Sequence, residues 1–135
     1  MDDFTLKRGG EAAQRYAERK RREDEAPRLK DEVPQLRALH LEVDERREGS
    51  IVGTDGRHIR RIVLEHAPAL FIIPCGDPHC RDGGYDVTNQ VMRGLHAGAT
   101  RFESQDSCSG TIGSASCSRV LRFVAVATFA GAETP

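Results

Sequence analysis

The sequence predicts a small α+β domain over residues 33–130, with a mostly antiparallel sheet and one packed helix, stapled by a four-cysteine zinc site and preceded by an exposed charged helix. Short segments that alternate between apolar and polar residues predict the strands, and one amphipathic segment predicts the packed helix. Only 5% of the 135 residues are aromatic, none is Trp, and four are cysteines. A small aliphatic core of this kind often needs a staple.

Charge and hydropathy exclude several classes of protein. Lys and Arg (20) nearly balance Asp and Glu (21), and the net charge of -1 excludes the global basic field of a typical nucleic-acid binder, although it permits a local basic patch. The N-terminal stretch MDDFTLKRGGEAAQ lacks the apolar centre of a secretory signal, and no apolar run is long enough to span a bilayer. We therefore expect a cytoplasmic protein with no membrane partner, in which four cysteines are metal ligands more often than disulfides.

Residues 1–32 predict a charged arm with a loose tail over 1–10 and an exposed helix from Glu11 to Glu25. Acidic residues stand four positions ahead of arginines, which is the favourable order on a helix, and the apolar stripe is narrow. A solvated helix is the simpler interpretation. The alternative is a partner-binding arm led by a basic run, although the acidic stretch EDE follows that run directly. The basic run consists of Arg19, Lys20, Arg21 and Arg22.

Three segments after residue 33 predict strands. LRALHLEV places Leu39, Leu41 and Val43 on one face, and ALFIIP is a short apolar run typical of a buried strand. The third segment, SRVLRFVAVATF, alternates, and its inward residues are expected to be Leu121, Phe123, Ala125, Ala127 and Phe129. A fourth segment, RHIRRIVLEH, fits either a helix or a strand.

The segment DVTNQVMRGLHAG predicts the packed helix. Asp86 is the expected N-cap, and Gly94 or Gly98 stands near the expected end. The buried stripe is expected to consist of Val91, Met92 and Leu95.

Two cysteine pairs stand at the ends of predicted strands. Cys75 and Cys80, separated by four residues, follow ALFII, and Cys108 and Cys117, separated by eight, lead into VLRFVAVATF. Two loops that each supply two thiolates are what a tetrahedral zinc site needs, although the second spacing exceeds the usual two to four residues. We therefore expect zinc as the cofactor. An iron–sulfur cluster, or a thiol redox switch, held by the same cysteines remains an alternative.

Small and polar residues surround the cysteines. Gly76, Gly110 and Gly113 are expected to let backbone N–H groups turn toward the sulfurs. The stretch SCSGTIGSASCS has no packing reason to be ordered, and a metal would supply one. The turn-forming pattern around the first pair explains three aspartates as turn and cap residues rather than as a second metal site. These are Asp77, Asp82 and Asp86.

The stretch IVGTDGRHIRRI, Ile51 to Ile62, resembles the signature of KH RNA-binding domains, in which a G-x-x-G loop is followed by a helix. Gly53 and Gly56 match the two loop glycines. The resemblance implies a loop that clamps a nucleic-acid backbone. Asp55 would direct a negative charge at a phosphate, which opposes that role. A plain loop of Gly, Thr and Asp is therefore favoured, and KH-like RNA binding is kept as an alternative.

The sequence carries no catalytic signature. It contains no G-x-S-x-G elbow, H-E-x-x-H motif, P-loop or dinucleotide fingerprint. A complete set of four thiolates also leaves no open metal position for a water. We expect a non-catalytic adaptor that binds a macromolecular partner, either nucleic acid in a nucleoprotein assembly or a protein. The best local basic cluster outside the arm consists of Arg57, Arg60 and Arg61.

Overall fold

A four-stranded antiparallel sheet forms the centre of the protein, with the strand order β2 (Arg57–Arg61), β1 (Leu36–Arg47), β8 (Arg119–Phe129) and β5 (Arg101–Ser107). The computed structural model describes residues 3–47, 57–77 and 79–131. Two further pairs of very short strands lie outside this sheet. In chain order the elements are α1 (Asp3–Glu25), α2 (Leu29–Glu32), β1 (Leu36–Arg47), β2 (Arg57–Arg61), β3 (Ile72–Ile73), β4 (Tyr85–Asp86), α3 (Thr88–His96), β5 (Arg101–Ser107), β6 (Thr111–Ile112), β7 (Ala115–Ser116) and β8 (Arg119–Phe129).

The two long strands β1 and β8 carry most of the buried face of the sheet. Because side chains alternate along a strand, the register that pairs Leu41 with Ala125 and Val43 with Phe123 stacks apolar residues on one side. The alternation predicted from the sequence is confirmed in both strands. The buried predicted residues are Leu39, Leu41, Val43, Leu121, Phe123, Ala125 and Ala127, and Phe129 is half-buried.

The helix α3 is the packed helix that the sequence predicted. Val91 and Leu95 are buried, and Met92 is partly buried against the same apolar cluster. Val87 is the N-cap, while Asp86, one residue further out, accepts a hydrogen bond of 3.1 Å from the Thr88 N–H through its carboxylate. Asp86 therefore caps the first turn of the helix with its side chain, as predicted, but it lies one residue before the N-cap position.

Glycine determines how α3 ends and how closely it packs. Gly98 follows the helix with a φ of +72°, a conformation that favours glycine at this position. A Cβ at Gly94 would lie 2.5 Å from the Phe102 ring, so the helix approaches β5 more closely than an alanine would allow.

The ambiguous stretch RHIRRIVLEH begins as the edge strand β2, which pairs with β1. Tertiary pairing with a long strand outweighs the weak helical spacing of its apolar residues. Ile59 is 56% exposed. The helix that the KH resemblance implies after its loop is therefore wrong for residues 57–61, and Gly53, Asp55 and Gly56 lie outside the described residues.

The buried strand predicted within ALFIIP is only two residues long. Phe71 and Ile73 are buried, but only Ile72 and Ile73 form β3, which pairs with β4. The chain runs from this short strand directly into the first cysteine loop, so the strand end predicted to precede Cys75 is present.

The arm helix α1 begins at Asp3, and residues 3–10 are helical rather than the loose tail that the sequence predicted. Most of its described side chains are exposed, and Tyr16 is 62% exposed, as expected for a solvated helix with a narrow apolar stripe. None of the described helices combines the length and the hydropathy that a membrane crossing requires.

Candidate metal centre

The four cysteines converge from two loops at the ends of strands. Cys75 follows β3, and Cys80 lies in the loop that leads to β4. Cys108 follows the last residue of β5, and Cys117 precedes β8. Because β5 and β8 are antiparallel neighbours, the end of one lies beside the start of the other, and the Cys108 N–H donates to the Arg119 carbonyl over 3.0 Å.

The sulfur positions match a single four-coordinate ion. All four Sγ atoms lie within 4.8 Å of one another. The Cys75 and Cys117 sulfurs are 3.9 Å apart, and the Cys80 and Cys108 sulfurs are 3.6 Å apart. A tetrahedron with metal–sulfur bonds of about 2.3 Å has edges of about 3.8 Å. The predicted convergence of the two pairs is confirmed, and the four cysteines could hold a metal ion.

Backbone N–H groups surround two of the sulfurs. The Asp77 N–H points to Cys75 Sγ over 3.5 Å, and the N–H groups of Gly84 and Gly110 point to Cys108 Sγ over 3.4 Å each. Such donors orient and stabilise a thiolate ligand. The prediction for Gly110 is therefore confirmed.

Gly76 and Gly113 have roles other than the one that the sequence predicted. The Gly76 N–H donates to the carboxylate of Glu45 rather than to a sulfur. Gly113, with a φ of +62°, lies between the short strands β6 and β7. The left-handed conformation there lets the chain reverse between the strands.

The second cysteine loop is ordered by its own hairpin as well as by the cysteine cluster. The strands β6 and β7 pair between Cys108 and Cys117. Arg81 and Thr111 exchange two backbone hydrogen bonds of 2.8 and 3.0 Å, which join this hairpin to the first loop. The stretch SCSGTIGSASCS, for which the sequence offered no packing reason to be ordered, therefore has backbone pairing that orders it beside the cysteine cluster.

The four sulfurs favour a cation between them. Burial raises the pKa of the Cys75 thiol to about 11 and also raises the pKa of Cys80. Burial acts in the same direction at Cys108, but N–H groups from Gly110 and Gly84 outweigh it and lower the pKa of that thiol. Burial therefore disfavours the thiolate form of Cys75 and Cys80, and a metal cation bound between the sulfurs would offset that cost.

A buried carboxylate, Glu45, lies beside the cluster, and the sequence prediction missed it. Glu45 is 6% exposed and accepts hydrogen bonds from the Tyr85 hydroxyl over 2.8 Å and from the Gly76 N–H over 2.9 Å. Burial and contact with Glu45 raise the pKa of Tyr85, which therefore remains a hydroxyl donor. The alternation that places Leu41 and Val43 inward continues to Glu45, so the signal was present in the sequence.

Arg119 connects the Glu45 carboxylate to both cysteine loops. Its Nη1 lies 3.2 Å from Glu45 Oε1, and its Nε lies 3.9 Å from a carboxylate oxygen of Asp77. Asp77 is two residues after Cys75, and Arg119 is two residues after Cys117. These buried and half-buried charges therefore fix the two loops to each other and to β1.

The aspartates of the first loop act in turns. Asp77 accepts a hydrogen bond from the His79 N–H over 2.9 Å, and Asp82 has a φ of +55°. Asp86 caps α3. Within residues 3–47, 57–77 and 79–131, the cysteine set is the one group of His, Cys, Asp or Glu side chains that could hold a metal. The turn interpretation therefore accounts for these aspartates.

The predicted basic cluster is divided between two faces of the sheet. Arg60 is in register with Leu41 of the buried face, and its Nη1 lies 3.5 Å from the Ile72 carbonyl. Arg61 is exposed and is in register with His40 on the opposite face. The side chain of Arg57 lies outside the described part of the chain.

The basic run of α1 is largely balanced by acidic neighbours. Lys20 lies 3.7 Å from Asp24, Arg21 pairs with Glu18 and Glu25, and Arg22 lies 3.6 Å from Asp86. Arg19 instead lies over the Tyr16 ring, 6.0 Å from its centroid. These pairs reduce the positive field that the run would offer a nucleic acid.

Comparison of the chain with protein-family models, with curated proteins and with solved structures finds no match.

We expect Gly110→Ala to weaken metal retention. A Cβ at this position would overlap the Cys80 sulfur and would lie 2.6 Å from the Arg81 carbonyl oxygen. Overpacking of this kind costs about 1–3 kcal/mol, and here the sulfur that must move is itself a proposed ligand. Transfer of metal to a coloured chelator measures the effect, and faster transfer than in the unsubstituted protein is expected. Ser109→Ala, at the exposed neighbouring position, is the matched control and should leave the rate unchanged.

Proposed function

We propose that this protein is a non-catalytic zinc-binding module that acts as an adaptor for a macromolecular partner. The single observation that carries the proposal is the approach of four cysteine sulfurs to within 4.8 Å of one another. Four thiolates fill the coordination sphere of zinc and leave no position for a water or a substrate. A site of this kind stabilises the fold and does not perform hydrolysis.

The sulfur spacing supports one ion over an iron–sulfur cluster. In a cluster, bridging sulfide and further iron atoms lie between the thiolates and hold some of them further apart than a single ion does. The distances of 3.6 Å between the sulfurs of Cys80 and Cys108 and of 3.9 Å between those of Cys75 and Cys117 fit one tetrahedral ion. Four thiolates around one ion are typical of zinc in proteins.

The charges of β2, of the arm and of the whole chain bear on the class of partner. The exposed Arg61 and the absence of acidic residues from RHIRR support a nucleic acid or nucleoprotein partner. The ion pairs of the arm and the net charge of -1 support a protein partner instead. Nucleic acid remains the leading class because its phosphates would pair with β2, whose charged residues are all basic.

Metal analysis beside thiol titration tests the zinc site, with protein purified without added metal. One zinc per chain, with thiols that react only after chelation or unfolding, is the expected result. Iron with sulfide, or no metal and four freely reactive thiols, would replace the proposal with redox chemistry that uses the same cysteines.

Binding of labelled single-stranded RNA and DNA tests the partner class. We expect affinity that falls steeply between about 50 and about 200 mM salt, because phosphate contacts release counterions. Arg61→Glu should weaken this binding, whereas Arg122→Glu, on the central strand β8, should weaken it less. Binding that does not depend on salt, or no binding at all, would leave a protein as the partner.

A further inference from the structure

The two open edges of the sheet carry opposite charges. The strand order leaves one side of β2 and one side of β5 without a neighbouring strand in the described part of the chain. Between residues 57 and 61 the charged residues are all basic, whereas β5 carries Glu103 and Asp106 beside a single arginine, Arg101. An open edge is a template for a further strand, and opposite charges decide which strand fits.

The backbone of β2 directs hydrogen-bonding groups toward this edge. The Ile62 N–H donates to the Leu39 carbonyl over 3.0 Å. In an antiparallel pair, residues whose backbone groups bond to the neighbouring strand alternate with residues whose backbone groups point away from it. Arg60, two residues before Ile62, therefore also bonds to β1 through its backbone. The N–H and C=O groups of Ile59 and Arg61 therefore face away from β1, toward the open edge.

The same alternation applies to β5. Hydrogen bonds of 3.0 Å from the Cys108 N–H to the Arg119 carbonyl and of 2.9 Å from the Ala127 N–H to the Thr100 carbonyl place the even positions of β5 against β8. The N–H and C=O groups of Glu103 and Gln105 face the open edge.

We propose that the β2 edge of one molecule pairs with the β5 edge of a second copy of this chain, which continues the sheet from one molecule to the next. The strand directions permit this pairing, because β2 and β5 are antiparallel to each other within the sheet order. A translated copy therefore presents an antiparallel β5 to β2, with the same face of the sheet outward. The contact is heterologous, so it can repeat into longer assemblies.

Charge selects the register of this pairing. When Ile59 lies opposite Gln105, Arg61 faces Glu103, His58 faces Asp106, and every residue of β2 has a partner. A shift by two residues places Arg61 opposite Arg101, which like charges disfavour. Among the residues that the structure describes, neither Arg61 nor Glu103 forms an ion pair within its own chain. Pairing of β2 with a second β2 would bring arginines together and is disfavoured.

Sedimentation velocity of the full chain tests the proposal over a wide range of protein concentration. The unsubstituted protein is expected to form dimers and longer species reversibly. Arg61→Glu and Glu103→Arg should each weaken association by about tenfold or more, because each replaces an attractive cross-strand pair with a repulsive one. An equimolar mixture of the two variants should restore association. Arg122→Glu, with the same change of charge on a central strand, should not alter it.

A backbone variant keeps the test independent of side-chain charge. Ile59→Pro removes an N–H that faces the open edge and no N–H that bonds to β1, so it should abolish association while the thermal unfolding transition is retained. A protein that remains monomeric at every concentration would overturn the proposal. Stronger association in Arg61→Glu would also overturn it, because that result indicates pairing between two β2 edges. Either result leaves the zinc site untouched.

Discussion

Replacement of Cys108 by serine is expected to abolish metal binding and cooperative folding of the domain. Cys108 is 7% exposed and its sulfur accepts N–H groups from Gly84 and Gly110, so a weaker ligand would lie at a buried position of the cluster. Structural zinc contributes about 10–16 kcal/mol of binding free energy, and in a small domain that energy is part of the folding free energy. Elemental analysis and thermal unfolding followed by circular dichroism measure the two effects.

The neighbouring serine supplies the control for this substitution. Ser109→Ala changes an exposed side chain one residue away and should retain one metal per chain and the unsubstituted Tm. If Cys108→Ser lost the metal but unfolded cooperatively at the same temperature, the metal would not contribute to the stability of the domain. That result would contradict the structural role proposed for the site.

Glu45→Ala is expected to lower the free energy of unfolding by about 3–5 kcal/mol, because it removes the nearer of the two carboxylate partners of the half-buried Arg119 guanidinium. The Tyr85 hydroxyl and the Gly76 N–H lose their acceptor as well. In a chain of this length the loss corresponds to a decrease in Tm of about 10 °C or more. Urea denaturation of the metal-loaded protein measures the change.

Two further variants separate burial of the charge from simple loss of a side chain. Glu42→Ala removes a 44% exposed carboxylate from the opposite face of the same strand and should cost less than about 1 kcal/mol. Tyr85→Phe removes one hydrogen bond to Glu45 and should cost about 1–3 kcal/mol. Equal effects of Glu45→Ala and Glu42→Ala would show that the buried network does not stabilise the cysteine loops.

The strands β1 and β8 and the helix α3 could be predicted from the sequence because their patterns are long. Each alternation or helical stripe extends over enough residues to determine which face is buried. The short strand β3 and the strand β2 were harder to assign. Their spacing permits more than one structure, and the choice depends on pairing with β1 or β4, which lie elsewhere in the sequence.

The convergence of the four cysteines could be predicted, whereas the contacts of the charged residues around them could not. Cys75, Cys80, Cys108 and Cys117 are identified by their residue type and by their positions at the ends of predicted strands. The alternation of β1 indicates an inward position for Glu45, but its pairing with Arg119, 74 positions away, follows only from the register of β1 with β8. Charged residues are also rarely fully buried, so composition gave no reason to place Glu45 inside.

X-ray absorption at the zinc edge tests the four-thiolate zinc site most directly, because it counts the atoms bound to the metal in the full chain. Four sulfur scatterers at about 2.3 Å, with no nitrogen or oxygen ligand and no second metal nearby, is the result that the cysteine cluster predicts. A coordination shell that contains nitrogen or oxygen, or a neighbouring metal scatterer, would contradict a closed four-thiolate site for a single zinc ion.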